Sequence, residues 1–569
     1  MELLSYPLSY NRVKTREVRI GGLSIGGDHP IYVQSMLTSS TQDVPACLEE
    51  IKSLLQVGCR LIRLTVPSKK DLDAVPELRR VLKEEGLDVL LVADIHFSPT
   101  LAVEACELFE KVRINPGNFS DRPKNSTGAI DKQEFEEGYA RLKEAIRPLA
   151  EALKKYGRAL RIGVNQGSLS TRMMERYGDS PIGMVQSALE MAELFEEQGL
   201  DQLVVSLKSS NPIVVQKAYR LLVDSQRDRE VIPMHLGVTE AGDGIMGRIK
   251  SLAGIGPLLM DGIGDTIRVS LTEESANEIL FANRLLPFIL QRNKQAESGQ
   301  EIWQRPITHQ RIQSKTAETG KLQLGGGSPF KIGEPDNFNI PQADIQLESD
   351  FKYQESEQGK EVRMDSLKLL KVNSLKTLNS ASLDSQYSAL ILTSKNPTYL
   401  LRKYHKNANG KPSKPVGYQV PSKPDYNLLT QLAAVLSEGL LDFLLLPEEI
   451  ESDDLLSVLY LLQATRMKIL VADYIACPSC GRTLFDIQST TARIKEKTSH
   501  LKGIKIGIMG CIVNGPGEMA DADFGYVGSG TGKIDLYFGQ ERVRRGIKEI
   551  EAVDKLIELI KEKGFWRDR

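Results

Sequence analysis

Three cysteines near the end of the sequence have the spacing of a metal or redox site. Cys477 and Cys480 form a C-P-S-C motif, and Cys511 follows about thirty residues later; the motif and Cys511 each come after a β-type run. A structural zinc site normally takes four Cys or His ligands, and the nearest histidine is His500. An iron–sulfur cluster can be held by three thiolates, with an oxygen ligand at its fourth iron. On spacing alone, both kinds of centre remain open.

Glu518 is the candidate oxygen ligand for such a cluster. It lies seven residues after Cys511 in the segment N-G-P-G-E. Glycines in such a loop favour a backbone that approaches another group closely. A carboxylate binds iron more labilely than a thiolate does, so it suits a site where substrate must displace a ligand.

Polar residues also recur at the ends of predicted strands in the first half of the chain. Residues two apart in a strand face the same way, and the active sites of (β/α)8 barrels lie at the carboxyl ends of the strands. The residues that share this position and parity are Arg63 and Thr65, Asp94 and His96, Arg113 and Asn115, Arg161, Gly163 and Asn165, Ser206 and Lys208, and Arg268 and Ser270. Four arginines and a lysine at one barrel face predict a bound anion, and their number favours a diphosphate over a monophosphate.

Glu240 is the acid best placed for proton transfer. It stands directly after the seventh predicted strand, in H-L-G-V-T-E-A-G. A general acid must lie within hydrogen-bonding reach of the group that it protonates. The barrel mouth would give Glu240 that reach.

The elements that position these residues alternate regularly between strands and helices. The predicted strands are 32–36, 60–66, 89–95, 111–116, 158–165, 202–209, 232–239 and 266–271, and the predicted helices are 44–57, 72–86, 100–110, 140–155, 182–199, 214–225, 244–259 and 277–290. Eight such units over about 260 residues predict an α/β fold with an N-terminal (β/α)8 barrel. An open doubly wound sheet is the alternative, which the lack of G-x-G-x-x-G in the first βα unit disfavours.

The composition changes after the barrel, which predicts three domains: 1–290, 291–466 and 467–569. Residues 291–385 are polar with weak periodicity and predict a linker with irregular structure. Order returns in a small α/β unit with elements at 388–393, 416–420, 427–438, 441–446 and 453–464. The last domain has β-type runs at 467–476, 503–509, 523–528 and 533–538, with helical patterns at 483–499 and from 540.

Composition excludes several classes of protein. Hydrophobic residues make up 41% and charged residues 26%, which is typical of a globular chain and neither disordered nor fibrous. A net charge of −2 gives no basic field for nucleic acid, and no apolar run reaches the length of a membrane span. The start is too polar for a secretory signal, so we expect a cytoplasmic protein. The scattered Cys47, Cys59 and Cys106 are expected to pack in the core.

Seven longer motifs occur in the order found in one known family. They are V-Q-S-M (33–36), K-V-R-I-N-P-G-N (111–118), R-I-G-V-N-x-G-S-L (161–169), H-L-G-V-T-E-A-G (235–242), G-I-G-D-T-I-R-V-S-L (262–271), C-P-S-C-G-R-T (477–483) and G-C-I-V-N-G-P-G-E (510–518). They resemble the IspG (GcpE) family, the hydroxymethylbutenyl diphosphate synthases, over about 10–290 and 467–569. The section 291–466 resembles the extra domain of the larger form of this family.

The resemblance implies an enzyme that reductively opens 2-C-methyl-D-erythritol 2,4-cyclodiphosphate in the non-mevalonate isoprenoid pathway, with ferredoxin or flavodoxin as electron donor. It implies a [4Fe-4S] cluster on Cys477, Cys480, Cys511 and Glu518, in a C-terminal α+β domain resembling those of sulfite and nitrite reductases. The implied diphosphate contacts are Arg63, Arg113, Arg161, Asn165, Lys208, Arg268 and Ser270, with Glu240 as the barrel acid. Asn115 joins the candidate contacts because it shares the parity of Arg113.

Two other functions stay open beside this resemblance. One is a zinc-stabilised phosphate-binding barrel without redox chemistry. The other is a redox-neutral phosphate-binding barrel synthase in the style of the pterin synthases, which would stay active without the three cysteines.

The insert bears on how the site closes. In the short family members, the resemblance implies a head-to-tail homodimer in which the cluster domain of one subunit covers the barrel of the other. Between 291 and 466 this chain has no Cys and no clustered acid–histidine set. We therefore predict that the insert is a folded spacer without catalytic residues, and that the cluster domain closes on its own barrel.

Overall fold

The computed structural model describes residues 3–8, 10–96, 98–118, 132–292, 301–307, 313–319, 322–325, 328–336, 349–356, 360–364, 366–478, 482–512, 519 and 521–568. The chain divides into two compact units. The barrel unit comprises Val13–Ile255, Ile263–Arg284 and Val471–Arg569, and the insert unit comprises Met1–Arg12, Gly256–Gly262 and Leu285–Leu470. The predicted barrel and the predicted cluster domain therefore belong largely to one unit.

The barrel unit contains a ring of eight parallel strands. After strand β1 (Leu3–Pro7) and the hairpin of β2 (Val18–Ile20) and β3 (Leu23–Ile25), the ring strands are β4 (Tyr32–Met36), β5 (Leu61–Thr65), β6 (Leu90–Asp94), β7 (Lys111–Ile114), β8 (Ala159–Asn165), β9 (Leu203–Lys208), β10 (His235–Leu236) and β11 (Thr266–Ile267). Strand β4 pairs with both β5 and β11. A parallel bridge between Val205 and Met234 closes the ring between β9 and β10. The predicted (β/α)8 barrel is confirmed.

Helices follow the ring strands as the periodicity predicts. They are α1 (Val44–Gln56), α2 (Lys69–Glu84), α3 (Pro99–Leu108), α4 (Lys132–Tyr156), α5 (Thr171–Tyr177), α6 (Pro181–Glu197), α7 (Pro212–Asp224), α8 (Gly244–Met260) and α9 (Ser275–Arg292), with a 3-10 turn at Pro116–Asn118. Several begin with a polar cap residue followed directly by proline, as at Ser98, Ser180 and Asn211, whose side chains accept a backbone N–H from the first turn. Proline fits this first position because it needs no donor there.

The last two ring strands are shorter than predicted. The runs 232–239 and 266–271 form regular strands only at His235–Leu236 and Thr266–Ile267. Beyond Leu236 the chain still makes isolated backbone hydrogen bonds to neighbouring segments; the Thr239 N–H, for example, donates to the Ser209 carbonyl at 3.1 Å. A side-chain carbon on Gly237 would meet the Arg268 carbonyl at 2.9 Å, so the backbones here approach too closely for most residues.

The insert unit has regular structure where the sequence predicted an irregular linker. Strand β12 (Ile302–Pro306) pairs with β1, and β13 (Ala317–Thr319) pairs with β14 (Leu322–Leu324). A small closed barrel follows from β15 (Lys331–Pro335), β16 (Phe351–Glu355), β17 (Glu361–Met364), β18 (Leu367–Val372), β19 (Ala389–Leu392), β20 (Val416–Gln419) and β21 (Phe443–Leu445), with helices α10 (Leu375–Leu383), α11 (Pro397–Asn407), α12 (Tyr426–Ser437) and α13 (Ser452–Ala464). For the described residues of 291–385, the prediction of irregular structure is therefore wrong. Strands β16 and β17 in this section are short and bury only one residue of five and two of four, so their composition is as polar as that of a linker.

Aromatic rings fill the inside of the small barrel. The Phe351 and Phe443 rings meet edge to face with centroids 6.4 Å apart. A side-chain carbon on Gly333 or Gly417 would lie only 2.2 Å from one of these rings. The two glycines thus make room for the aromatic core, and the interior of the small barrel is packed.

A buried ion network also holds the insert unit together. The Arg402 guanidinium donates to Asp261 at 2.7 Å, to Glu438 at 2.9 Å and to the Pro7 carbonyl at 2.7 Å. Both carboxylates and the guanidinium are almost fully buried. Removing any one of these side chains would strongly destabilise the fold, because the remaining charges would stay buried without compensation.

The C-terminal part of the barrel unit is a five-stranded sheet covered by helices. Its strands are β22 (Asp473–Ala476), β23 (Lys505–Met509), β24 (Phe524–Gly530), β25 (Lys533–Phe538) and β26 (Glu541–Lys548), and its helices are α14 (Ile487–Thr498) and α15 (Glu549–Glu562). The first three strands run parallel and the last two antiparallel.

The helical pattern predicted from 540 begins later, at Glu549, because 541–548 is an edge strand. Val543 and Ile547 both pack on the core, and residues four apart share a face in a strand as well as in a helix, so their spacing does not separate the two. The pairing of β25 with β26 shifts register at two places along this edge. In the described part of the chain, no helix combines the length and the apolar character needed to cross a membrane.

Candidate active site

One cavity of the barrel unit collects most of the residues predicted to carry chemistry. The carboxyl ends of the ring strands and the first two strands of the C-terminal sheet form its walls. It is lined by Met36, Arg63, Asp94, His96, Arg113, Arg161, Asn165, Ser206, Lys208, Thr239, Glu240, Arg268, Ser270, Cys477, Pro478, Arg482, Met509 and Cys511. A barrel mouth and a thiol-bearing wall therefore meet within a single chain.

The predicted diphosphate contacts and the predicted barrel acid line this cavity, except for Asn115. Arg63, Arg113, Arg161, Asn165, Lys208, Arg268, Ser270 and Glu240 are all present and all buried. Asn115 is not among the lining residues, and its side-chain oxygen accepts the Gly117 N–H at 3.1 Å. Asn115 therefore shapes the turn that follows β7.

The C-terminal wall places two of the predicted cluster ligands at the ends of adjacent strands. Cys477 directly follows β22, and Cys511 follows β23 after one glycine. The Gly510 N–H donates to the Cys477 sulfur at 3.2 Å. A side-chain carbon at Gly510 would meet Thr483 at 2.9 Å, so this position favours glycine. Cys480 and Glu518 lie outside the described residues.

These features fit an iron–sulfur cluster. The two sulfurs line one cavity, and an N–H bond to a ligating sulfur is a device that tunes such clusters. Among the described residues no three His, Cys, Asp or Glu side chains group closely enough to hold a metal ion. Two of the four predicted ligands lie outside that part of the chain.

His500 has a different environment from the one that a zinc ligand needs. Its Nε2 lies 2.8 Å from the Arg567 carbonyl oxygen, and its ring meets Trp566 edge to face at 5.2 Å. It is not among the residues that line the cavity. The structure uses His500 to pack the C-terminal tail.

Polar contacts join the C-terminal sheet to the barrel around the cavity. Ala241 and Ala476 form a parallel bridge, and the Thr272 hydroxyl donates to the Ala476 carbonyl at 3.3 Å. Lys250 and Asp473 form a buried ion pair at 3.5 Å. Each contact joins a barrel residue to strand β22, which leads into Cys477. Together they hold the barrel wall and the C-terminal wall of the cavity in place relative to each other.

Arg113 is held by a carboxylate and an imidazole. Its Nη1 lies 3.1 Å from Asp94 Oδ1 and 2.6 Å from His96 Nε2, and its Nη2 donates to the Gly163 carbonyl at 3.0 Å. Burial, together with the charge of Arg113, lowers the pKa of His96 to about 3. The pKa of Asp94 lies well below its usual value because Arg63 and Arg113 outweigh the opposing effect of burial. At neutral pH a carboxylate and a neutral ring therefore orient this guanidinium. The sequence placed both residues at the mouth but gave them no role.

Arg268 depends on a carboxylate that sequence reasoning missed. Glu278, in the first turn of α9, accepts from Arg268 Nη2 at 3.2 Å and from Nε at 3.3 Å. The same carboxylate accepts the Leu271 N–H at 3.0 Å and the Ser35 hydroxyl at 3.1 Å. The only signal in the sequence that could have pointed to Glu278 was its position as an acid in the first turn of a barrel helix.

The cavity carries more positive than negative charge. Burial, followed by repulsion from neighbouring arginines, holds the pKa of Lys208 and that of Arg161 well below their ordinary values. The Nε and Nη1 of Arg161 are buried and have no hydrogen-bond partner among the described residues. Arg482, which follows the C-P-S-C motif by one glycine, adds a cation from the C-terminal wall and was also missed. A bound anion would favour the charged form of these cations, because an opposite charge nearby offsets the cost of burial.

Glu240 occupies a special backbone position at the junction of the two walls. Its φ is 49°, in the left-handed region that costs a residue other than glycine about 1–3 kcal/mol. The next residue, Ala241, forms the bridge to the C-terminal sheet. The surrounding structure therefore holds a buried carboxyl group beside both the cationic cluster and the cysteines.

Comparisons with known proteins agree with this architecture. Residues 15–283 match the GcpE TIM-barrel domain, and residues 473–562 match the GcpE protein C-terminal domain. Relatives from Akkermansia muciniphila and Porphyromonas gingivalis, both named 4-hydroxy-3-methylbut-2-en-1-yl diphosphate synthase (flavodoxin), are each 41% identical; the alignments cover 99% and 98% of this chain and 98% and 99% of those proteins. A chloroplastic relative from Oryza sativa subsp. japonica, named as the ferredoxin form, is 38% identical over 98% of this chain and 88% of its own.

Proposed function

Because the chain belongs to the GcpE family of 4-hydroxy-3-methylbut-2-en-1-yl diphosphate synthases, we propose that its barrel cavity is where the reaction of this family takes place. The substrate is 2-C-methyl-D-erythritol 2,4-cyclodiphosphate, and its reductive ring opening with loss of a hydroxyl gives (E)-4-hydroxy-3-methylbut-2-enyl diphosphate. One observation carries the proposal: buried cations and two cysteines line the same cavity of one chain.

The cationic residues are proposed to clamp the diphosphate. Arg63, Arg113, Arg161, Lys208 and Arg268 supply charge, and Asn165 and Ser270 supply neutral hydrogen bonds. Guanidinium groups bind phosphate oxygens in a planar, two-pronged geometry. Fixing the diphosphate end of a substrate also fixes the position of its reacting carbons.

The cofactor is proposed to be a [4Fe-4S] cluster held by Cys477, Cys480, Cys511 and Glu518. When bound, such a cluster supplies electrons one at a time, which suits a reaction that consumes two electrons. The Gly510 N–H bond to Cys477 supports a thiolate at that position. The relatives' names indicate a flavodoxin or a ferredoxin as the electron donor, and the same class of donor is proposed here.

Glu240 is proposed to supply the proton that lets the hydroxyl leave as water. A hydroxide is a poor leaving group, so protonation by a positioned acid lowers the barrier. Glu240 is buried in the cavity and held by its fixed backbone position. Its distance from the substrate is set by the same walls that hold the clamp.

The insert is proposed to act as a folded spacer without catalytic residues, and a cytoplasmic location remains our expectation. The packed interior of its small barrel supports this role. Because one chain supplies both walls of the cavity, each subunit is proposed to form its own site. A homodimer is then compatible with activity but not required for it.

Anaerobic purification followed by iron, sulfide and zinc analysis tests the proposed function. We expect about four irons and four sulfides per chain, visible absorbance, and conversion of the cyclodiphosphate with reduced flavodoxin or ferredoxin. A colourless zinc protein that leaves the cyclodiphosphate unreduced would support a zinc-stabilised barrel instead. Activity that survives removal of all three cysteines would support a redox-neutral synthase.

A further inference from the structure

Two arginines of the clamp meet at the sulfur of one methionine. Arg63 donates to Met36 Sδ through Nε at 3.1 Å and through Nη2 at 2.6 Å. Arg268 reaches the same sulfur through Nη1 at 3.5 Å. All three residues are buried and line the cavity. Two like-charged guanidinium groups are thus neighbours across a single uncharged atom.

The chemistry of the shared acceptor is what makes this arrangement unusual. A carboxylate between two guanidinium groups would hold them more strongly, but it would cancel one of the two charges. A thioether is a weak acceptor without charge. It can orient both groups without placing a negative charge between them.

The outer sides of the two arginines are anchored differently. Glu278 takes two N–H groups of Arg268 and is 2% exposed. Asp94 lies 3.9 Å from Arg63 Nε and is closer to Arg113. Within the described part of the chain, the carboxylate that pairs with Arg63 is thus a distant one, and Met36 accepts the shorter contacts of this guanidinium.

We propose that Met36 is a positioning residue of the anion clamp, whose neutral sulfur holds the Arg63 and Arg268 guanidinium groups side by side for one doubly charged diphosphate. The inference rests on the proposed role of these arginines and adds a residue that acts through them. It requires an acceptor at position 36 that is both polar and uncharged. Hydrophobic bulk alone does not suffice.

Three substitutions at Met36 separate this role from core packing. Leu keeps the volume but removes the acceptor, Gln offers a neutral acceptor of similar length, and Glu offers a charged one. We expect Met36→Leu to raise KM and the Kd of inorganic diphosphate about fivefold, with kcat changed less than twofold. Met36→Gln should restore binding to within about twofold of the unmodified holoenzyme, and Met36→Glu should weaken it more than tenfold because it cancels one of the two charges.

The measurements are made on anaerobically purified holoenzyme with its cluster intact. Inorganic diphosphate is titrated calorimetrically, substrate kinetics are recorded, and thermal unfolding is followed for each variant. Met191→Leu is the matched control, since Met191 is buried in helix α6 away from the cavity lining. A packing role predicts that Leu is tolerated better than Gln in both unfolding temperature and binding. That order of binding affinities would overturn the proposal.

Arg268→Ala separates failure of this inference from failure of the proposed clamp. If Arg268→Ala weakens diphosphate binding but Met36→Leu does not, the clamp stands and the role of Met36 is overturned. If neither change affects binding, the diphosphate binds elsewhere, and both the clamp and the role of Met36 are overturned.

Discussion

Lys250 of helix α8 and Asp473 at the start of β22 form an ion pair whose two side chains are buried, with Nζ and Oδ1 3.5 Å apart. The pair joins the barrel to the strand that leads into Cys477. A buried pair contributes little net stability compared with a well-packed apolar pair, but breaking it leaves one charge without compensation. Its effect is therefore to oppose separation of the two walls of the cavity.

Removing one member of this pair should destabilise the protein. We expect Lys250→Met to lower the free energy of unfolding by about 3–5 kcal/mol, and Lys250→Met with Asp473→Leu to cost much less. Chemical denaturation, followed by a signal from the barrel unit, measures the free energy of unfolding of both variants. Lys497→Met is the control, because its pair with Asp554 is largely exposed and should contribute less than about 1 kcal/mol. Equal effects of the single and double changes would show that the pair is not coupled.

The clamp residues should control substrate capture. Single Ala variants of Arg113, Arg161, Lys208 and Arg268 should each lower kcat/KM about tenfold or more, since a charge-assisted contact contributes roughly 1.5–3 kcal/mol. Glu240→Gln should mainly lower kcat, because it removes a proton donor and no anion contact. Steady-state kinetics with the cyclodiphosphate measure both effects. Arg227→Ala, which changes a half-exposed arginine of the surface, is the matched control. Unchanged kinetics in all four clamp variants would mean that the barrel mouth is not the binding site.

The cluster ligands should differ in what their loss affects. Cys511→Ser should lose iron and activity together. Glu518→Gln should lower turnover more than iron content, because the three thiolates remain. Cys106→Ala is the control, since Cys106 is buried in helix α3 away from the cavity. Iron and sulfide analysis beside turnover separates these outcomes, and full activity in Glu518→Ala would disprove a role for that carboxylate.

Sequence reasoning succeeded where structure follows from local pattern. The barrel strands are continuous apolar runs with polar residues at their ends, so parity alone placed Arg63, Arg161 and Lys208 in one mouth. It failed where one residue draws its contacts from several elements. Glu278 gathers donors from β4, from the β11 segment and from the loop after it, and nothing near it in sequence indicates them. Met36 was noticed as part of a motif, but its role depends on two arginines that are distant in sequence.

Secondary structure shows the same distinction. Strands β16 and β17 of the insert barrel are short and bury only one residue of five and two of four, so their composition resembles a linker. Val543 and Ile547 of strand β26 are four residues apart, a spacing shared by one face of a helix and one face of a strand, so the local pattern could not separate the two. Tertiary pairing decided the conformation of both segments.

The buried imidazole of His96 should make stability sensitive to acid. Its pKa is lowered from the ordinary 6.5 to about 3, so the folded state resists a proton that the unfolded chain takes up. Its contribution is complete above pH 6.5 and is lost as the pH falls towards 3, by up to about 1.4 kcal/mol per pH unit. Asp94, whose pKa is also lowered, acts in the same direction at lower pH. In denaturation curves between pH 7 and 4.5, His96→Gln should lose less stability than the unmodified protein. An identical slope would mean that His96 takes up its proton at the same pH in the folded and the unfolded state.

Closure within one chain can be tested by mixing two inactive variants. Cys511→Ala loses the cluster wall and Arg268→Ala loses the clamp, so each should be inactive or nearly so alone. The structure brings both walls together in one chain, through the Ala241–Ala476 bridge and the Lys250–Asp473 pair. If sites form only in this way, each chain in the mixture keeps one broken wall and no activity returns.

Closure between two subunits would give the opposite result once the subunits have exchanged. A hybrid dimer with crossed walls would combine the intact clamp of one chain with the intact cluster of the other, and about a quarter of the sites in a fully exchanged mixture would be complete. The experiment therefore needs proof of exchange, for which differently tagged chains are mixed under mild denaturation and recovered together. A Cys511→Ala, Arg268→Ala double variant mixed with the unmodified protein serves as the control for dilution. Recovered activity in the mixture of single variants would overturn closure within one chain. It would leave the cluster and clamp assignments intact, because both walls would still be needed at each working site.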